Sequence, residues 1–91
     1  SSPKDYISRF SSILKLSPKT QNTALSILKK AENSELTSGR GPAGIAAAAL
    51  YLCSKANSES RTQKEIAELA NVTEVTLRAR VKEFRKHCNI I

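Results

Sequence analysis

Disulfide and metal chemistry have little to draw on in this sequence. It holds two cysteines, Cys53 and Cys88, far apart and each set among apolar or basic neighbours, and a single histidine, His87. No disulfide framework and no zinc-ligand pair can be read from that set; two lone thiols suit a reducing compartment. Aromatics are as scarce, with two Tyr, two Phe and no Trp, too few for the stacking platform that holds single-stranded nucleic acid. The longest apolar run, Ala43 to Cys53, is interrupted only by Gly44 and falls well short of the ~20 residues that span a bilayer. Lys4, Asp5 and Arg9 break up the opening segment, which therefore does not read as a signal peptide. Acids are outnumbered, 8 against 15 Lys and Arg, for a formal charge of +7. Ninety-one residues suffice for one compact domain, and at that size folding removes only about 60–65% of the chain's surface from water. The expectation is a soluble, intracellular, basic domain with one modest core and no metal, cofactor or membrane partner.

What is present is helical periodicity, cut into segments by turn and cap signals. Ser2-Pro3 opens a first helix with Ser as N-cap and Pro at the first helical position, where its missing N–H is harmless. Tyr6, Ile7, Phe10, Ile13 and Leu14 then form an apolar stripe running to about Leu16. Ser17-Pro18 repeats the signal for a second helix, with Ala24, Leu25, Ile27, Leu28 and Ala31 as its buried face, Lys19, Lys29 and Lys30 off that face, and an end near Asn33. A polar loop closes with Gly39-Arg40-Gly41 before Pro42 starts a third helix. That helix carries Gly44, Ala46 to Ala49, Ile45, Leu50, Tyr51 and Leu52 and has no polar face. A helix apolar all round must be surrounded, so it belongs at the centre of the domain, with Cys53 and Tyr51 in the core. After the polar stretch Asn57 to Arg61, Thr62-Gln63-Lys64-Glu65 is a capping box opening a fourth helix. A fifth, capped by Thr73, presents Leu77, Val81 and Phe84 inward, with Cys88 at the end of that stripe. No strand pattern, internal repeat or low-complexity tract is visible; the fold class is all-α.

The last two helices match the helix-turn-helix pattern, in which one helix braces and the next enters the DNA major groove. The small Ala67 stands where the helices must touch, and Asn71, four residues on, can take the left-handed conformation that reverses the chain. Val72 plugs the turn and Leu77 pins the second helix; Arg80 occupies a flank where an aliphatic is more usual, its packing role open to Val81. Opposite the core, the fifth helix carries Val75, Arg78, Ala79, Lys82 and Lys86. From Arg78 to Lys86 there are five basic residues, Arg78, Arg80, Lys82, Arg85 and Lys86, against the single acid Glu83, a positive field where phosphates would sit. Short side chains at Val75, Thr76 and Ala79 permit close approach to base edges, Val75 suits a thymine methyl, and Arg78 has the reach for a bidentate contact with guanine. For Arg85 and Lys86 a solvated cation favoured by the helix's negative end is an equal reading, but it suits Arg78, nearer the N-terminal half, less well.

Three segments carry a family resemblance. Gly39-Arg40-Gly41-Pro42-Ala43-Gly44-Ile45-Ala46-Ala47-Ala48-Ala49-Leu50-Tyr51, Arg61-Thr62-Gln63-Lys64-Glu65-Ile66-Ala67 and Val72-Thr73-Glu74-Val75-Thr76-Leu77-Arg78 together resemble the second cyclin-like repeat of transcription factor B, the archaeal counterpart of eukaryotic TFIIB. Asp5-Tyr6 with Arg9-Phe10 looks like the repeat's opening helix, so the resemblance covers essentially the whole chain. It implies a five-helix cyclin-like fold around the central, Ala-rich third helix. It also implies a factor that binds the TATA-binding protein on promoter DNA, recognises an element just upstream of the TATA box in the major groove, and recruits RNA polymerase. Carried over by motif, Val75 and Arg78 are base readers with Thr76 beside them, and Arg80, Lys82 and Thr62 are phosphate contacts. Arg40 and Gly41 precede a helix N-terminus, where backbone N–H groups and the Arg hold a phosphate; the other reading is a loop that simply ends at Pro42.

The resemblance makes residues 1–91 a single repeat, with the helix-turn-helix at about 62–87. The family's zinc ribbon and first repeat are missing, so the chain is expected to be an excised domain or fragment, and much of the grip on TATA-binding protein and polymerase belongs to those other parts. The chain stops soon after the fifth helix, as archaeal members tend to, which points to an archaeal cytoplasm over a nucleus. Two other function classes stand against DNA reading. A cyclin fold can serve as a protein-docking module whose DNA affinity is weak and indifferent to sequence. An enzyme has less support, because His87 and Cys88 are adjacent and poorly placed to face one substrate together; no catalytic residue is assigned.

Overall fold

A computed structural model of the protein describes residues 2–31 and 41–88, the side chain of Cys88 excepted. The described residues form five helices, α1 (Pro3–Leu14), α2 (Pro18–Ala31), α3 (Pro42–Ala56), α4 (Gln63–Ala70) and α5 (Glu74–Cys88), and no strand. The first three each begin on proline, as the Ser-Pro and Gly-Pro signals require. Asn33, the expected end of the second helix, lies outside the described residues.

α3 is the axle of the domain and touches each of the other four helices. Gly44 to Leu50 is a continuous buried run, followed by Leu52, Cys53 and Ser54. Alanines let the surrounding helices pack against its backbone from several sides. Around it stand Ile7 and Phe10 of α1, Ala24, Ile27 and Leu28 of α2, Ile66 and Ala67 of α4, and Leu77, Val81 and Phe84 of α5, all buried. Two sequence expectations need correcting. Ile13 is 56% exposed: at ~100° per residue, positions 7, 10, 11 and 14 fall within about 100° of one another, whereas 13 lies about 120° from Ile7 despite its i+3 spacing from Phe10. Tyr51 is half-buried at the rim of the core, and its hydroxyl accepts from the Gln63 side-chain amide at 3.4 Å.

Three helices stop in the same way. α1, α3 and α4 are each followed within two residues by a non-glycine residue in the left-handed region, Lys15 (φ 56°), Ser58 (φ 62°) and Asn71 (φ 57°). In each case the next N–H reaches back five residues, Leu16 to the Ser11 carbonyl at 2.9 Å, Glu59 to Ser54 at 2.7 Å and Val72 to Ala67 at 3.0 Å. This is the Schellman arrangement, which satisfies carbonyls that the helix end leaves open. Only Asn71 among the three was legible as a left-handed residue.

The turn after α3 is stitched to the α1–α2 junction. The Glu59 carboxylate accepts from the Ser17 backbone N–H at 2.8 Å, from the Ser17 hydroxyl at 2.6 Å and from the buried Thr20 hydroxyl. Asn57 donates its side-chain amide to the Thr20 oxygen at 3.1 Å. Arg61 donates through Nη2 and Nε to the Leu14 carbonyl at the end of α1, at 2.8 and 3.2 Å, and through Nη1 to the Glu59 carbonyl at 2.7 Å. The start of α4 is thereby tied to the end of α1.

Candidate nucleic-acid interface

α4 and α5 form a tight helix-turn-helix. The Thr62 hydroxyl accepts from the Glu65 N–H at 3.0 Å while the Glu65 carboxylate accepts from the Thr62 N–H at 3.2 Å, completing the capping box. Asn71 turns the chain, and Val72 then packs into the core, its side chain 3.7 Å from where a Cβ would stand on Gly44. Thr73 caps α5, its hydroxyl oxygen accepting from the Thr76 N–H at 3.0 Å. Leu77 and Phe84 are fully buried and Val81 nearly so, which fixes the helix's rotation about its axis.

That rotation turns a basic face outward. Val75 is 67% exposed, and Arg78, Lys82, Arg85 and Lys86 are exposed with it, while Thr76 and Ala79 are half-buried. Arg78 donates from Nη1 to the Gln63 side-chain oxygen at 3.0 Å and lies 4.0 Å from the Glu74 carboxylate. Its guanidinium is therefore steered from α4 and left accessible. Among the described residues no carboxylate lies within ion-pair distance of Lys82 or Arg85.

The other expected phosphate contacts are scattered. Arg80 points to the opposite flank of α5, where its Nη1 donates to Glu83 at 3.0 and 3.3 Å and its Nε is buried without a partner. Thr62 sits at the start of α4 beside Gln63, with its hydroxyl and N–H both engaged by Glu65. Gly41 is the exposed N-cap of α3, and Arg40 lies outside the described residues. The structure thus brings Val75, Arg78 and Lys82 onto one face and leaves Arg80 off it. Sequence reasoning missed Gln63, Tyr51 and Lys55, which approach α5 from α4 and α3. Their only sequence signal was Lys55, a charge at the end of an otherwise apolar helix.

Little else offers chemistry. Burial pushes the Cys53 thiol up to about 12, which keeps it protonated and unreactive at neutral pH. His87 is exposed at the end of α5. Among the described residues no group of three or more His, Cys, Asp or Glu side chains could hold a metal ion, and no helix is long and apolar enough to cross a membrane.

Comparison with known proteins places these features in context. A family profile described as the transcription factor TFIIB repeat matches residues 1–87. Transcription initiation factor IIB of Archaeoglobus fulgidus is 57% identical over 89 residues, covering 98% of this chain and 27% of that protein. Transcription initiation factor IIB 1 of Thermoplasma volcanium is 60% identical over 84 residues, 92% of this chain and 27% of its own length. The Sulfurisphaera tokodaii factor IIB is 52% identical over 90 residues, 99% of this chain and 29% of its own. The chain spans between a quarter and a third of the length of these curated relatives.

Proposed function

The chain belongs to the transcription factor TFIIB repeat family, and from that membership we propose that it is the second, C-terminal cyclin-like repeat of an archaeal basal initiation factor, working as a duplex-DNA-binding domain. α5 enters the major groove just upstream of the TATA box. Val75 and Arg78 meet base edges with Thr76 beside them, and Lys82 meets the phosphate backbone. The observation that carries this reading is the outward face of α5, where 67%-exposed Val75 lies among Arg78, Lys82 and Lys86, opposite the buried Leu77, Val81 and Phe84.

Base contacts confer sequence preference, and phosphate contacts confer affinity and register. The domain contributes the first through the N-terminal half of α5 and the second through its middle. TATA-binding protein and RNA polymerase are partners of the whole factor, with this repeat adding DNA contact beside them, in the cytoplasm of an archaeon.

Fluorescence anisotropy tests the reading. The chain is titrated against a duplex with a TATA box and a purine-rich upstream flank, and against the same duplex with the flank scrambled, with and without TATA-binding protein, across a salt series. Preference for the intact flank, lost in Arg78→Ala, is the expected result. Equal, salt-sensitive binding to both duplexes would overturn base reading and leave a protein-docking module with a basic surface.

A further inference from the structure

α5 does not meet solvent alone on one of its flanks. A groove of about 430 Å³ runs between it, the C-terminal half of α3 and the first turn of α4, walled by Tyr51, Lys55, Gln63, Arg78, Lys82 and Arg85. Leu77 and Val81 form its floor. Four of the lining residues are cations and none is an acid. Among the described residues Lys55, Lys82 and Arg85 have no carboxylate within ion-pair distance. Like charges gathered in one groove repel, and among the groove's four cations only Arg78 has a carboxylate near it, Glu74 at 4.0 Å. The wall is also ordered by hydrogen bonds: Arg78 donates to the Gln63 side-chain oxygen at 3.0 Å, the Gln63 amide donates to the Tyr51 hydroxyl at 3.4 Å, and the Lys55 ammonium stands 6.0 Å from the Tyr51 ring centre.

We propose that this groove seats a backbone phosphate of the duplex that α5 reads, with Lys55 of α3 joining Lys82 and Arg85 of α5 as its cationic contacts. The inference rests on the DNA-binding reading above and adds α3 to the interface. Two arguments lead to it. A helix with its side chains is about 10–12 Å across and the major groove about 12 Å wide, so the sugar-phosphate strands come to lie along the flanks of an inserted helix. The groove is one such flank and shares Arg78 and Lys82 with the outward face. The second argument is charge: a groove whose charged residues are all cations, with Lys55, Lys82 and Arg85 lacking a carboxylate partner among the described residues, is complementary to a phosphate diester and to little that a neutral partner presents. Tyr51 and Gln63 act as positioning residues, since they hold Lys55 and Arg78 on opposite ends of one wall.

Lys55→Ala is the test, with Lys29→Ala, an exposed lysine of α2 that does not line the groove, as the control for net charge. Anisotropy over a salt series should show Lys55→Ala weakening intact-flank and scrambled-flank duplexes by the same factor. It should also lower the slope of log K against log salt by about 0.9, the loss of one phosphate contact, while Lys55→Arg keeps the wild-type slope. Duplexes carrying a single neutral methylphosphonate should then reveal one position where the wild type loses affinity and Lys55→Ala loses none further. If Lys55→Ala matches Lys29→Ala while the wild type still prefers the intact flank, the phosphate seat is wrong and the DNA reading stands. If Lys55→Ala instead erases flank preference, Lys55 is a base contact and the seat is again wrong. Failure of the wild type to bind either duplex would overturn both.

Discussion

The Glu59 carboxylate accepts hydrogen bonds from both the backbone N–H and the hydroxyl of Ser17, 42 residues earlier in the chain, at 2.8 and 2.6 Å. A residue in the turn after α3 thus serves the N-terminus of α2, where helix N–H groups lack intrahelical partners and negative charge is favoured.

The pH dependence of folding follows from this contact. Hydrogen bonds from the Ser17 side chain first, then from Thr20 and the Ser17 backbone, hold the Glu59 carboxyl below the usual carboxylate range. A group whose folded pKa is depressed contributes stability above its unfolded pKa, ~4.3 for Glu, and that contribution is lost as pH falls through the folded value. Glu59→Gln should lower the thermal midpoint near neutral pH and narrow its gap from wild type in acid. Parallel melting curves, with the two proteins equally separated at every pH, would show that Glu59 is not what titrates.

The left-handed residues give a second, independent prediction. Asn tolerates that conformation far better than Ala, which meets the full steric cost of about 1–2 kcal/mol. Asn71→Ala should therefore destabilise by about that amount, and Asn71→Gly much less. Lys15→Gly should raise stability by about 0.5–1 kcal/mol, the steric relief less the entropy that glycine adds to the unfolded chain. Urea denaturation of the three variants measures all of this; a destabilised Lys15→Gly would contradict it.

A third prediction concerns the axle. Ala47 and Ala48 have no exposed surface, and leucine at either position must push a neighbouring helix outward. Overpacking of this kind costs about 1–3 kcal/mol. A melting temperature unchanged in Ala47→Leu or Ala48→Leu would show room around α3 that its packing does not suggest.

Much of this architecture was legible in the residues themselves. Pro3, Pro18 and Pro42 mark helix starts, Thr62 and Glu65 cap α4, and the lack of a polar face on α3 places it at the centre. The stop at Asn71 and the inward stripe of Leu77, Val81 and Phe84 follow from local rules as well. Other features depend on distance in space, for which a single chain carries no periodic signal. Glu59 reads as one more polar loop residue until α2 is placed beside it. Lys15 and Ser58 have no left-handed propensity; their conformation is imposed by Leu16 entering the core and Glu59 reaching Ser17. Arg80 looked like one of a row of cations, yet its angle on α5 brings it to Glu83 and away from Arg78. Lys55 and Gln63 join α5 only because α3 and α4 both pack against it.

Arg78 and Lys82 should separate in their roles. Arg78→Ala should cost about 1–3 kcal/mol on the preferred site and flatten discrimination at one base position. Lys82→Ala should weaken all duplexes alike and lower the salt slope by about one. Identical behaviour of the two variants on intact and scrambled flanks would remove the distinction between base and backbone contacts on this helix.

Base reading by α5 is decided by measuring wild type and Arg78→Ala against a set of duplexes in which each base pair of the upstream flank is replaced in turn, at fixed salt. The wild type should lose affinity on replacement at a small number of adjacent positions, and Arg78→Ala should be indifferent at one of them while retaining the others. A wild type indifferent to every replacement, or an Arg78→Ala profile that parallels the wild type at all positions, would contradict it.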